Sequence, residues 1–87
     1  MQVDIAIVPR GDGKIAVLAK PSPGRISWAA VIGKESFRDV FTSLVMSGHP
    51  EIMPHDIIEG LGGTATISLT TEKILISKLK SHGAEMC

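Results

Sequence analysis

Among its 87 residues the chain has no tyrosine, one tryptophan, two phenylalanines and a single cysteine. One cysteine, Cys87, excludes an intrachain disulfide framework and a cysteine-based zinc cluster. So few aromatics argue against a single-strand nucleic-acid reader, which stacks several bases on ring faces. Charge of either sign is not in excess: nine basic residues face nine acidic ones. A neutral chain is a poor general binder of polyanions, because phosphate contacts need clustered basic side chains. No apolar run approaches the roughly 20 residues that span a bilayer. The N-terminal MQVDIAIVPR carries no basic stretch and no cleavage site, so no signal peptide is expected and the expected compartment is the cytoplasm. No Gly-x-Ser-x-Gly elbow occurs, and an enzyme is not expected.

What is present is an ordinary globular mix, 44% hydrophobic and 21% charged. The length allows one small domain spanning residues 1–87. Mass scaling gives a folded surface of about 4,900 Å² and about 8,400 Å² buried on folding. Burial then contributes on the order of 125 kcal/mol. Ordering the chain costs about 130 kcal/mol. The core is thin, and a homodimer built on the hairpin edge or an exposed helix face is expected to add burial.

Residues 2–9 alternate, with Val3, Ile5 and Ile7 on one face and Asp4, Ala6 and Val8 on the other. Gly11-Asp12-Gly13 is a turn signal, and residues 14–20 return as a second strand. After the Pro21–Gly24 loop, Ile26, Trp28, Ala30 and Ile32 share a face of a third strand over 25–32. Phe37, Val40, Phe41, Leu44 and Val45 then recur at helical spacing. They predict a helix over 36–47, with Ser36 as N-cap and Gly48 as the stop. Pro54 opens a short helical turn, residues 64–70 alternate as a strand, and residues 71–82 read as a helix ahead of Gly83. The order β-β-β-α-(α)-β-α predicts an α+β fold. It is a two-layer sandwich, a mainly antiparallel sheet with helices on one face. The expected core holds Val3, Ile5, Ile7, Ile15, Val17, Ile26, Trp28, Phe37, Val40, Phe41, Leu44, Ile67 and Leu69.

Candidate sites are few. His49, Glu51, His55 and Asp56 lie close together, but two prolines and the lack of a Cys-x-x-Cys partner make a polar loop the better reading than a metal site. Gly60–Gly63 precedes a strand rather than a helix, so it lacks the context of a phosphate loop. Arg10-Gly11-Asp12 is explained as a hairpin tip. No catalytic residue, metal ligand or cofactor is assigned.

Charge is segregated along the chain. Residues 1–34 hold five basic and two acidic residues; residues 35–70 hold five acidic and one basic. The expected function is therefore a non-enzymatic protein–protein interaction module. It would be a small regulator or inhibitor, of the phage or mobile-element type, that covers a surface of a partner protein. Glu35, Asp39, Glu51 and Asp56 are its expected contact residues. The alternatives are a nucleic-acid-binding module using Arg10, Lys14, Lys20 and Arg25, and a small-ligand or metal-binding domain around residues 49–63.

Overall fold

A computed structural model describes residues 2–20, 27–48 and 62–86. The elements run β1 (Gln2–Pro9), β2 (Lys14–Ala19), β3 (Ala29–Gly33), α1 (Lys34–Met46), β4 (Gly63–Ser68), α2 (Leu69–Ser81) and β5 (Glu85–Met86). The strands form one sheet in the order β4-β1-β2-β3-β5, antiparallel at every junction. The α+β class matches the expectation, and so does the element order as far as α2. The expected helical turn at Pro54 lies outside the described residues.

The β1–β2 hairpin closes where it was expected. Arg10 donates its N–H to the Lys14 carbonyl at 2.8 Å, Asp12 Oδ1 accepts from the Lys14 N–H at 3.2 Å, and Gly13 sits at φ +80°. That positive φ is strained for any side chain, which explains the glycine. The hairpin is interior to the sheet, with β4 on one edge and β3 on the other. A dimer through the hairpin edge is therefore ruled out, because the sheet itself uses both edges.

One face of the sheet meets both helices. Val3, Ile5 and Ile7 of β1, Ile15, Val17 and Ala19 of β2, Ala30 and Ile32 of β3, and Ala65 and Ile67 of β4 are buried against Phe37, Val40, Phe41 and Leu44 of α1 and Leu75 and Leu79 of α2. The Phe37 and Phe41 rings stack one helical turn apart, with centroids 4.3 Å apart. Trp28 and Leu69, expected in the core, pack against it half-buried, and Ile26 lies outside the described residues. Lys78 Nζ donates to Ser43 Oγ at 2.9 Å and ties the helices together. The accessible surface is 4906 Å², as the mass scaling predicts.

Element boundaries shift for local reasons. α1 begins at Lys34, not after Ser36, because β3 runs into the helix through Gly33, whose backbone is extended at φ −62° and ψ 149°. Ser36 falls within the first turn and is not the N-cap, and Gly33 offers no side-chain cap. β4 ends at Ser68, two residues early. The Ser68 side chain accepts the Thr71 N–H at 3.1 Å and turns the chain directly into α2. Gly83, at φ +82°, then ends α2 and releases the chain into β5, which the sequence pattern does not announce.

Candidate functional site

The side of α1 facing away from the sheet carries Glu35 and Asp39, one helical turn apart and both exposed. Arg38 and Thr42 complete a shallow cleft between them. This arrangement places the two expected acidic contacts together, as the i, i+4 spacing requires. The exposed basic residues Lys34 and Arg38 share the same helix, so the charge on this side is mixed. Glu51 and Asp56, the other expected contacts, lie outside the described residues.

Among the described residues, those expected to form the basic contact surface, Arg10, Lys14 and Lys20, do not gather in one patch. Arg10 is engaged in the turn, where its guanidinium pairs with Asp12 at 3.1 Å. Lys14 and Lys20 flank opposite ends of β2, six residues apart. At about 3.3 Å per residue that separation is about 20 Å. Arg25 lies outside the described residues. The second alternative, around residues 49–63, also falls outside them but for Gly62 and Gly63. Among the described residues no group of three or more His, Cys, Asp or Glu is placed to hold a metal ion. Nor is any helix among them long and apolar enough to cross a membrane.

Trp28 is fixed rather than offered. Its indole N–H donates to Glu72 Oε2 at 3.0 Å, and Glu72 is a buried residue in the first turn of α2. The two residues are 44 positions apart, so no local pattern foretells the pair.

The feature that sequence reasoning missed is the sheet face turned away from the helices. An antiparallel sheet with one wet face alternates apolar inward and polar outward. β4 obeys that rule, with Thr64 and Thr66 outward, and Thr66 Oγ1 donates to Asp4 Oδ1 at 2.7 Å. The three central strands break it. The register pairs Ala6 with Leu18 and Leu18 with Ala29, which makes one apolar row across the sheet. It pairs Val8 with Ala16 and Ala16 with Val31, which makes a second row beside the first. Val8 and Leu18 are exposed, at 43% and 39% of their full surface. An open groove runs along the first row, walled by Lys20 and Trp28 at one end. The signal was present in the sequence, since the stretch IAVLA of β2 has apolar residues at both phases of the alternation. Alternation alone does not show that such residues from three strands fall side by side.

Compared with protein-family models, with curated proteins and with solved structures, the chain matches none.

Proposed function

We propose that the chain is a non-enzymatic protein–protein interaction module, a small regulator or inhibitor that acts through contact with a partner protein. The observation that carries this reading is the apolar outer face of β1–β3. Contiguous exposed apolar surface rimmed by polar groups marks contact sites on soluble proteins. Here the rim is Asp4, Lys14, Lys20, Thr64 and Thr66. The cleft of Glu35, Arg38, Asp39 and Thr42 on α1 supplies a second, charged surface on the opposite side of the molecule, suited to fixing the register of a polar protein contact.

Affinity capture from the native host tests the reading when the parent chain is compared with a Leu18→Lys variant. Leu18 is outside the core, so the variant should fold. The expected result is a protein retained by the parent and lost by the variant. Equal retention of every captured protein by both chains would remove the sheet face from the contact.

A further inference from the structure

We infer that, until a partner protein displaces it, the apolar sheet face is covered by a second copy of this chain, in one defined orientation. The inference rests on reading that face as a contact surface, and it adds the occupant and the geometry. Its basis is the distribution of large and small side chains over the two rows. In the first row, Leu18 stands between Ala6 and Ala29; in the second, Ala16 stands between Val8 and Val31. Small flanks large in one row, and large flanks small in the other.

Two copies of a face stack through a twofold axis lying between them. If the axis runs along the strands, each row meets itself. Leu18 then meets Leu18 and Ala16 meets Ala16, which gives a collision beside a gap. If the axis runs across the strands, midway between the rows, each row meets the other. Leu18 then lies over the second copy's Ala16, Ala6 over its Val8, and Ala29 over its Val31. Every larger side chain faces an alanine, the alternation that lets two layers interdigitate. Aligned sheets cross at about 30°, which moves positions this close to the axis by less than one strand spacing.

The polar rim works both ways in this orientation: Asp4 comes opposite Arg10, but Lys20 comes opposite Lys14, a like-charge pair that keeps the association weak. The lysines extend past the rim to water. Four strand spacings by the length of β2 give a projected contact of roughly 400 Å² per copy, and more as accessible surface. For the pair that is about 800 Å² of projected contact with the polar rim included, in the range of weak, transient association rather than of stable interfaces, which bury about 1,200 Å² or more. A reversible dimer is expected, with α1 of each copy left on the outside.

Sedimentation equilibrium on the full chain, from low to high micromolar, is the test. The expected result is a 9.2 kDa species giving way to twice that mass as concentration rises. Ala16→Leu sets a leucine against Leu18 of the other copy and should weaken association at least tenfold. Ala16→Leu combined with Leu18→Ala exchanges large and small at both positions and should restore it to within severalfold of the parent. Circular dichroism confirms that each variant is folded. A parent that stays monomeric throughout overturns the inference, as does a dimer that the double variant fails to restore. The two readings are separable. If the parent is monomeric yet Leu18→Lys loses a captured protein, the face binds something other than a second copy. If Leu18→Lys changes neither self-association nor capture, the face is not a contact surface at all.

Discussion

Replacing Phe41 by alanine removes a fully buried ring and its stacking partner for Phe37. Such a change costs about 3–5 kcal/mol. Domains of this kind are stable by only about 5–15 kcal/mol, so the loss is a large share of the total. Urea unfolding should show it as a marked fall in midpoint, and an unchanged midpoint would mean that the helix buries another face. Trp28 makes a different kind of contribution. Trp28→Phe keeps most of the apolar body but removes the donor to the buried Glu72 carboxylate. The expected cost is about 1–3 kcal/mol, from desolvation of an acceptor that has lost a partner. Trp28→Phe combined with Glu72→Gln should cost less than the separate changes predict, which a double-mutant cycle measures. At this scale the sequence was readable wherever burial follows a period. Val3, Ile5, Ile7, Ile15, Val17, Phe37, Val40, Phe41, Leu44 and Ile67 are buried as the two periodicities require. Leu75 and Leu79 lay on an expected helical stripe but outside the expected core, and both are fully buried beneath α2. The Trp28–Glu72 pair was not readable, because it depends on tertiary proximity alone.

The two helices start differently, and the difference predicts opposite responses. α2 has a side-chain cap from Ser68, an acidic residue, Glu72, in its first turn, and Lys78 and Lys80 in its last. All of these favour the helix dipole and satisfy the first N–H groups. Ser68→Ala should cost about 1 kcal/mol. α1 has Glu35 in its first turn but no side-chain cap. A side chain at Gly33 would meet open space, and its φ of −62° is one that any residue adopts. Gly33→Ser should therefore stabilise the fold by about 0.5–1 kcal/mol, through a new cap and a less flexible unfolded chain. Paired thermal melts check both signs, and a destabilised Gly33→Ser variant would refute the capping argument. The same positions explain why boundaries were harder to read than elements. Ser36 has the chemistry of an N-cap, but β3 delivers the chain to the helix two residues earlier. β5 is only two residues long and pairs through Ala30 and Val31, so it carries no period of its own.

At the scale of the molecule, charge position matters more than net charge. The sequence placed acidic residues near one another along the chain, and α1 does bring Glu35 and Asp39 to one exposed side. The one basic residue counted in that segment, Arg38, lies between them on the helix, and Lys34 stands at its start. A mixed surface of this sort steers weakly at long range, because its fields cancel beyond about a Debye length, roughly 8–10 Å at physiological salt. Its effect is concentrated in the last stage of docking, where individual charges find partners. Glu35→Lys with Asp39→Lys turns four mixed charges into four of one sign. Against a partner presenting basic residues to this cleft, association should slow severalfold at low salt, and the difference should shrink as salt rises. Dissociation should change less, since exposed pairs contribute about 0–1 kcal/mol each. Stopped-flow or surface-plasmon kinetics on the identified partner, with the folded double variant, read both rates. An association rate that is unchanged at low salt would leave Glu35 and Asp39 as solvated residues and assign the partner contact to another surface. A faster association would show that the partner presents acidic residues, and that Arg38 and Lys34 make the contact instead.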